Sequence, residues 1–279
     1  MAALIAEFKA LDQQDLVWRS LEGIYAIVRR AARGIVLCVG PFNYPLNETY
    51  ATLIPALLMG NIVLLKVPTV GGLAHVLTMQ AFMDALPPGT LQFVTGSGRR
   101  LLGPLMRSGA VDALAFIGTS KAADELIKAH PKVHRLKVFA QLEGKNMAVV
   151  HRDLLTPSVA LQSSASLLEE ALDSLVVGAL SYNGQRCTAI KLIFVHEDLV
   201  DAVLQGLEWR LAALPTGLPF LPPSSPPSAL SAVHITPLPG NRTQYFLALL
   251  QDAVSKGARV VNAGGGEVRG QLMVPALVY

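Results

Sequence analysis

The stretch that decides the fold is residues 35–67, IVLCVGPFNYPLNETYATLIPALLMGNIVLLKV. It begins with the apolar run Ile35–Val39 and ends with a second one, Ile62–Val67. Continuous aliphatic and β-branched runs of this length are typical of strands that are buried on both faces of a sheet. The segment between them, Leu46–Met59, has the length and apolar spacing of a helix. The stretch therefore predicts a strand, a helix and a second strand, which together form a βαβ unit.

The same alternation continues after residue 67. Strands are predicted at Leu91–Val94 and Ala113–Ile117, and helices at Leu73–Leu86, Arg99–Arg107 and Lys121–Ala129. Repeated alternation of strands and helices is the pattern of a mostly parallel sheet with helices on its faces. The fold class predicted for the chain is therefore α/β.

The second half of the chain is also predicted to alternate, until a proline-rich segment interrupts it. The features predicted there are a strand at Met147–Val150, a polar stretch at Thr156–Ser166, a helix at Leu167–Leu180, a strand at Ile190–Val195, a helix at Asp198–Leu211, a helix at Thr243–Lys256 and a strand at Arg259–Val261. Residues 215–239 include eight prolines. Because proline fixes φ and lacks a backbone donor, this segment is predicted to be an irregular insert.

Composition excludes several classes of protein. With 279 residues, of which 52% are hydrophobic and 15% charged, the chain is long enough for two domains. The net charge of +3 is dispersed rather than clustered, so no nucleic-acid partner is predicted. The longest apolar stretch, near Tyr50–Leu65, is interrupted by Pro55 and Asn61, so no membrane span is predicted. Two cysteines form no disulfide framework, which favours a reduced, cytoplasmic location; Cys38 is predicted to be core packing, and no metal site is predicted.

Two polar motifs interrupt apolar segments. Cys187 lies in residues 183–188, NGQRCT, a glycine-marked turn in which Arg186 directly precedes the thiol. A cysteine near a cation is partly ionised and nucleophilic, whereas a cysteine in apolar surroundings is inert. Upstream, residues 41–45, PFNYP, place the amide of Asn43 directly after a predicted strand. The two motifs supply a candidate nucleophile and a neutral hydrogen-bond donor.

In this order the two motifs resemble the signature of the aldehyde dehydrogenase superfamily, a Pro-aromatic-Asn-x-Pro turn followed at a distance by Gly-Gln-x-Cys. The resemblance runs from about Gly34 to Val203 and continues more weakly to the C-terminus. It implies a Rossmann-type nucleotide-binding domain at residues 1–141. It also implies an α/β catalytic domain at residues 142–279, which carries the proline-rich insert. Relatives extend further at both ends, so the chain is expected to be truncated in both domains.

The resemblance implies the oxidation of an aldehyde to a carboxylate with NAD(P). Hydride does not leave efficiently from a planar aldehyde carbon, so a nucleophile must add first. Cys187 is the implied nucleophile, and Asn43 would donate its amide to the oxyanion that develops. Hydride transfer to the nicotinamide then leaves a thioester, which a base-activated water hydrolyses.

The general base is where the sequence departs from the family pattern. Relatives have Glu-Leu-Gly-Gly-Lys, whereas this chain reads Gln141-Leu142-Glu143-Gly144-Lys145. Gln141 takes the place of the base and cannot accept a proton at neutral pH. Positions i and i+2 of a strand face the same side, so Glu143 is a candidate replacement, with a pKa raised by burial. A surface glutamate at the end of a strand is an equal alternative.

A second set of positions is implied to bind the cofactor. Lys66 matches a family lysine that bonds to the adenine ribose. Relatives that prefer NAD have a glutamate three residues later, where this chain has Thr69. Without that carboxylate a 2′-phosphate is admitted, so NADP is the predicted cofactor, with NAD as a second option. The positions expected to approach the pyrophosphate, each at the end of a predicted strand, are Gly96, Gly98, Gly118 and Thr119.

Tyr44 and Arg186 bear on the substrate. Within the superfamily the motifs are most similar to those of non-phosphorylating, NADP-dependent glyceraldehyde-3-phosphate dehydrogenases, in which this tyrosine and arginine bind the substrate phosphate. Semialdehyde dehydrogenases of the same superfamily also carry an arginine before the cysteine and stay an alternative. A third interpretation is an inactive, truncated member that retains nucleotide binding or association only. The predicted partner is a small-molecule aldehyde, and homo-oligomerisation would need the missing C-terminal region.

Overall fold

The structure is a computed structural model that describes residues 2–15, 17–155, 164–218 and 233–279. The chain divides into two compact units, Met1–Glu143 and Gly144–Tyr279. The helices are α1 (Ala2–Gln14), α2 (Asn47–Leu58), α3 (Leu73–Ala85), α4 (Gly98–Arg107), α5 (Ser120–Ala129), α6 (Ser164–Leu180), α7 (Val200–Ala213) and α8 (Arg242–Ser255). The strands are β1 (Arg19–Leu21), β2 (Ile24–Ala26), β3 (Ile35–Val39), β4 (Ile62–Lys66), β5 (Leu91–Val94), β6 (Ala113–Ile117), β7 (Lys137–Gln141), β8 (Asn146–Val150), β9 (Ile190–Val195), β10 (Val268–Arg269) and β11 (Leu272–Met273). Within the described ranges, no helix is both long enough and apolar enough to cross a membrane.

A parallel sheet of five strands forms the centre of the first unit, in the order β5-β4-β3-β6-β7. The predicted strands at residues 35–39, 91–94 and 113–117 have the observed bounds, and the strand predicted at residues 62–67 ends at Lys66. The central strands β3 and β6 are continuous apolar runs because both faces of the sheet are covered there. Helices α4 and α5 pack on one face, and α2 and α3 pack on the other. The predicted α/β fold with a parallel sheet is confirmed.

The order of the strands reverses at β3. Along the chain, β4 and β5 add to one side of β3, whereas β6 and β7 add to the other side. Since neighbouring strands are all parallel, their carboxyl ends lie along one edge of the sheet. In open α/β sheets, ligands bind outside the carboxyl ends of the strands at such a switch point. A ligand site in this unit is therefore expected at the loops that follow β3 and β6.

One buried side chain in the first unit lacks the partners that buried polar groups normally have. His75 on α3 is 0% exposed, and neither ring nitrogen has a well-formed hydrogen bond. Its ring packs edge-on against the ring of Tyr50, with 5.2 Å between the centroids. Burial lowers the pKa of His75, an effect that the backbone of Gly72 opposes only in part. The protonated imidazole is therefore disfavoured in the folded unit.

Acid is expected to destabilise the first unit through His75. A histidine pKa that is lower in the folded state means that the unfolded chain binds more protons, so stability falls as the pH drops through about 6.5. His75→Leu removes the titrating group and is expected to raise the Tm at pH 5 by about 3 °C, with a smaller gain at pH 8. Thermal unfolding at both pH values tests this, with His134→Gln as a control at an exposed histidine. An equal gain for His75→Leu at both pH values would contradict the titration argument.

The second unit is built on a parallel pair of strands, β8 and β9. One face of the pair, which includes Val150 and Ile193, packs against α6 and α7. Arg210 on α7 is 3% exposed and donates hydrogen bonds to the carboxylates of Asp173 (2.6 Å) and Glu169 (2.7 Å) on α6. A buried guanidinium is tolerated when it has such partners, so the two carboxylates tie α7 to α6.

The helices of the second unit begin at residues other than those predicted. Helix α6 begins at Ser164 rather than at Leu167. Helix α7 begins at Val200, because the start of the predicted helix is a short 3₁₀ helix at Glu197–Leu199. Helix starts depend on hydrogen bonds to the first backbone N–H groups, and apolar spacing carries little information about these bonds.

Two predicted regions of the second unit lie partly outside the described residues. The polar stretch Thr156–Ser166 is described only from residue 164, where α6 begins. The proline-rich insert is described at residues 215–218 and 233–239, and the rest of it lies outside the described part of the chain. Its irregularity there stays a prediction.

The strand predicted at Arg259–Val261 is wrong. The described residues there form one antiparallel bridge, Val260 with Val278, rather than a strand. Backbone hydrogen bonds between Arg259 and Tyr279 close this pairing. Helix α1 and the two short hairpins, β1–β2 and β10–β11, have no counterpart among the predicted elements.

Candidate active site

The segment from Ser181 to Ala189, here called the cysteine turn, connects α6 to β9. Tyr182, Asn183 and Gly184 in it have left-handed φ angles of 56°, 56° and 64°. Residues with a side chain adopt this conformation at an energetic cost, so other contacts must hold it. Asn183 makes such contacts with Thr236, donating to its carbonyl oxygen (2.8 Å) and hydroxyl (2.7 Å) and accepting from its N–H (2.9 Å). The turn is therefore anchored within the second unit.

Two side chains hold the backbone on either side of the half-buried Cys187. Asn146 Nδ2 donates to the carbonyl oxygens of Cys187 (2.6 Å) and Ala189 (3.3 Å). Lys191 Nζ donates to the carbonyl oxygens of Arg186 (3.2 Å) and Ala189 (3.0 Å). Carbonyl groups in a turn need donors from outside the regular elements, and these two side chains supply them. The position of the thiol is thus fixed by its neighbours on both sides.

The sequence motifs did not identify Asn146 or Lys191. The available signal was a polar side chain near the start of each of two apolar strands, β8 and β9. Gly144 was part of a quoted motif, and the structure explains it. A Cβ atom at Gly144 would overlap the carbonyl oxygen of Cys187, a backbone atom that cannot move aside cheaply. Glycine at this position allows the chain before β8 to approach the cysteine turn.

Arg186 lies over the ring of Tyr182, with the guanidinium carbon 5.8 Å from the ring centroid. Its Nε is buried and has no hydrogen-bond partner among the described residues. A buried donor without an acceptor is energetically unfavourable. The assignment of Arg186 to a substrate phosphate stays a prediction.

The two cysteines lie in different environments. Cys38 in β3 is 0% exposed, and burial raises the pKa of its thiol to about 11, against a smaller opposite effect of a hydrogen bond with Thr52. The prediction that Cys38 is core packing is confirmed. Cys187 is only half-buried. The inaccessible thiol of Cys38 therefore provides an internal reference for the reactivity of the Cys187 thiol.

Lys66 and Thr69 lie together at the carboxyl end of β4. Lys66 is 6% exposed, burial lowers its pKa, and its Nζ donates a hydrogen bond to Thr69 Oγ1 (3.2 Å). A Cβ atom at Gly98, the first residue of α4, would lie 3.8 Å from Lys66 Cε, so the backbone there runs beside the lysine. An ammonium group has three donors, so it can also bind oxygens of a ligand. The assignment of these three residues to the ribose and phosphate groups of a dinucleotide stays a prediction.

The remaining predicted cofactor positions follow β5 and β6. Gly96 has a φ of 115°, which residues with a side chain rarely adopt. A Cβ atom at Gly118 would lie 2.7 Å from the ring of Phe116, so the residue must be small. Thr119 Oγ1 accepts from the N–H of Ala122 (3.4 Å) and caps the start of α5. These positions lie along the same edge of the sheet as the end of β4.

Asn43 and Tyr44 lie in the loop between β3 and α2, and both are half-buried. Thr49 on α2 fixes this loop by donating a hydrogen bond from Oγ1 to the carbonyl oxygen of Pro45 (2.6 Å). The same hydroxyl occupies the space that a Cβ atom at Gly40 would need. Asn43 therefore lies on the loop at the switch point of the sheet, and Thr49 contacts this loop at both ends.

Glu143 does not have the environment that the sequence predicted. Strand β7 ends at Gln141, so Glu143 lies beyond the strand and the alternation of strand faces does not apply to it. Its side chain is exposed, and Oε2 accepts from the backbone N–H of Ser120 at the start of α5 (2.7 Å). Hydrogen bonds from its own backbone and from Ser120 lower the pKa of Glu143. The expected rise of this pKa through burial is wrong, and a lowered pKa makes the carboxylate a weaker proton acceptor.

Comparison with known proteins shows the family. A model of the aldehyde dehydrogenase family matches residues 2–279. The chain belongs to the aldehyde dehydrogenase family. The resemblance inferred from the two motifs is therefore confirmed, and the family is one of oxidoreductases.

The relatives of this chain within the aldehyde dehydrogenase family include NADP-dependent glyceraldehyde-3-phosphate dehydrogenases. The protein from Streptococcus equinus is 32% identical over 254 residues, which are 90% of this chain and 48% of that protein. The protein from Scenedesmus vacuolatus is 30% identical over 244 residues, which are 87% of this chain and 93% of that sequence. The chain thus spans about half the length of the Streptococcus equinus relative.

Solved structures of aldehyde dehydrogenases have the same fold. The NADP-dependent glyceraldehyde-3-phosphate dehydrogenase from Bacillus halodurans C-125, complexed with NADP, superposes with a TM-score of 0.77 at 28% identity, covering 99% of this chain and 55% of that chain. A 3,6-anhydro-L-galactose dehydrogenase superposes with a TM-score of 0.78 at 23% identity, covering 99% of this chain and 56% of that chain, which is a likeness of fold alone. The predicted aldehyde dehydrogenase fold is confirmed.

Proposed function

We propose that this chain carries out the NADP-dependent oxidation of an aldehyde to a carboxylate, with glyceraldehyde 3-phosphate as the substrate. The observation that carries the proposal is the cysteine turn, in which a half-buried Cys187 lies on a backbone held by Asn146 and Lys191. A fixed, accessible thiol with cationic neighbours has the environment of a nucleophile. Cys38, buried in the core of the same chain, has the environment of a structural cysteine.

The proposed chemistry begins at the thiol. The Cys187 sulfur adds to the aldehyde carbon, and Asn43 donates its side-chain amide to the oxygen that becomes negatively charged. One such donor contributes about 3 kcal/mol to catalysis in comparable enzymes. NADP, when bound, supplies the hydride acceptor. A thioester on the sulfur then remains, and its hydrolysis needs a water molecule from which a base removes a proton.

We assign cofactor binding to the first unit, within the predicted domain of residues 1–141, and the thiol to the domain of residues 142–279. The hydrogen bond between Lys66 and Thr69 supports this assignment, because it places a buried ammonium beside a neutral side chain. Lys66 would bind the adenine ribose and its 2′-phosphate, and Thr69 would admit the phosphate. The backbone near the pyrophosphate would come from Gly96, Gly98, Gly118 and Thr119.

Arg186 and Tyr44 are the proposed ligands of the substrate phosphate. A guanidinium presents several donors in a plane, which suits two oxygens of one phosphate. The names of the NADP-dependent relatives agree with this substrate.

NADPH formation by the purified chain tests the proposal. The chain is incubated with NADP and a panel of aldehydes that includes glyceraldehyde 3-phosphate, unphosphorylated glyceraldehyde and a semialdehyde. We expect glyceraldehyde 3-phosphate to give more than one NADPH for each Cys187 thiol, and to do so faster than the other aldehydes. A faster reaction of the semialdehyde would reassign the substrate, and a failure to bind NADP would refute the proposal.

A second candidate function is nucleotide binding without turnover. It is favoured by Gln141 at the position of the base and by the lowered pKa of Glu143. Without a proton acceptor, deacylation is slow and the thiol stays acylated after the first reaction. NADP binding together with no NADPH beyond one equivalent for each Cys187 thiol would support this candidate.

Restoring a carboxylate at residue 141 is expected to separate the two steps. Gln141→Glu should raise the steady-state rate of NADPH formation by about 100-fold, since a positioned base contributes an effect of this size. The initial burst should change little, because formation of the thioester needs only the thiol, the amide and the cofactor.

The matched variant Glu143→Gln shows whether the existing carboxylate acts as the base. Because its hydrogen bonds lower the pKa of Glu143, we expect this variant to keep the steady-state rate of the unmodified chain. An unchanged burst followed by the loss of turnover would instead assign the base to Glu143.

A further inference from the structure

Lys191 lies where it can influence the thiol through space. It is the second residue of β9, an otherwise apolar strand, and its Nζ bends back to the carbonyl oxygens of Arg186 (3.2 Å) and Ala189 (3.0 Å). One of these residues precedes Cys187 and the other follows it closely. The two hydrogen bonds therefore close a loop around the thiol and hold a positive charge beside it.

The electrostatics agree with this placement. Partial burial lowers the pKa of Lys191, the attraction of the Cys187 thiolate opposes that change, and the positive charge of Arg186 adds to it. Interactions between two groups are reciprocal, so an ammonium that is stabilised by a thiolate also stabilises that thiolate. The two carbonyl acceptors around its Nζ favour the charged form of Lys191.

Asn146 allows the effect of holding the turn in place to be separated from the effect of a nearby positive charge on the thiol. It donates to the carbonyl oxygens of Cys187 and Ala189, so it holds the same turn as Lys191 but carries no charge. Its removal should loosen the turn and leave the local charge unchanged. The chain thus offers a neutral comparison for the lysine within the same network.

We propose that Lys191 is a positioning residue for Cys187, closing the cysteine turn with its two hydrogen bonds and stabilising the thiolate with its charge. This inference rests on the proposed role of Cys187 as the nucleophile. It extends that role by naming the group that prepares the thiol before any cofactor or aldehyde is bound. Among the described residues, Arg186, which lies over the ring of Tyr182, is a second charged residue of the turn, and Lys145 directly precedes β8 in sequence.

Alkylation of the full chain with two reagents tests the inference. In each reaction the thiolate attacks the methylene carbon, a carbon–sulfur bond forms and iodide leaves, so the reagents differ in charge rather than in chemistry. Iodoacetamide is neutral and iodoacetate is an anion. Rates for Cys187 are measured by peptide mass spectrometry across a range of pH.

Lys191→Met is expected to lower the rate of Cys187 alkylation by iodoacetamide at pH 7 by about 5-fold, as expected for the loss of one nearby, partly solvated charge. The rate with iodoacetate should fall further, because the anion also loses an attractive charge. The alkylation profile should move to higher pH. Lys191→Arg should restore most of the rate with both reagents, since it keeps the charge and the donors.

Two variants act as controls. Lys256→Met removes a lysine that pairs with Asp252 on α8 and should leave every rate unchanged. Asn146→Ala should change the rates with both reagents by the same factor and leave the pH profile in place. Two results for Lys191→Met would overturn the inference. One is an equal change of the rates with both reagents and an unmoved pH profile, and the other is a set of rates equal to those of the unmodified chain.

The result is distinguishable from a failure of the proposed function, because alkylation requires neither NADP nor an aldehyde. An enzyme that proves inactive can still show the lysine effect. If Cys187 in the unmodified chain reacts no faster than Cys38, then the role of Cys187 as a nucleophile and the role of Lys191 both fall.

Discussion

Iodoacetamide at pH 7 is expected to label Cys187 at least about 100-fold faster than Cys38. Burial raises the pKa of Cys38 to about 11, so only about one Cys38 thiol in 10,000 is ionised at pH 7. The side chain is also 0% exposed, which keeps the reagent away. Cys187 is half-buried and has Arg186 and Lys191 beside it. Peptide mass spectrometry over a time course gives both rates from one sample.

The control for this labelling experiment is Cys187→Ser, in which the fast reaction should disappear while the slow labelling of Cys38 persists. Bound NADP is expected to change the rate at Cys187 if the thiol faces the cofactor. Equal and slow labelling of the two cysteines would refute the assignment of Cys187 as a nucleophile. Fast labelling of Cys38 would show instead that the sheet of the first unit opens readily.

Thr69→Glu is expected to weaken NADP binding by about 100-fold and to reverse the preference in favour of NAD. The hydroxyl of Thr69 accepts a hydrogen bond from Lys66 Nζ, so a carboxylate at this position would pair with the buried ammonium. The charge of Lys66 would then no longer be available to a 2′-phosphate, and the carboxylate would repel it. Calorimetric titration of both nucleotides measures the change.

Thr69→Gln provides the neutral comparison, because it has a similar size to glutamate and no charge. It should keep the preference for NADP even if both affinities fall. If the unmodified chain binds NAD more tightly than NADP, the prediction from the missing carboxylate is wrong. If Thr69→Glu leaves the affinity for NADP unchanged, the 2′-phosphate does not bind near Lys66.

Strands β3 to β6 of the first unit were predictable from sequence because each is a short, mostly apolar run. A run such as Ile35–Val39 is buried on both faces of the sheet. An apolar run this short is typical of a buried strand and is too short for a typical helix. Strand β7, Lys137–Gln141, was harder to see, since all of its residues are exposed and its composition is mixed. The strand predicted at Arg259–Val261 is wrong for a related reason. A segment of three residues forms a strand only if a partner segment pairs with it along its length, and here the pairing is a single bridge.

The candidate site was predictable where a motif names a side chain directly. Cys187, Asn43 and Lys66 follow from such motifs, and their chemical roles stay predictions. The lowered pKa of Glu143 was not predictable, because it depends on hydrogen bonds from its own backbone and from Ser120, a residue distant in sequence. The contacts of Lys191 depend on the path of the turn in three dimensions, which spacing along the chain does not report.

The bond between Asn183 and Thr236 has a consequence for the order in which the chain folds during synthesis. The two residues are 53 positions apart, so a growing chain that ends before Thr236 lacks the contacts that hold the left-handed residues of the cysteine turn. Such conformations persist only where surrounding structure enforces them. The thiol is therefore expected to reach its final environment only after Thr236, near the end of the proline-rich insert, has left the ribosome.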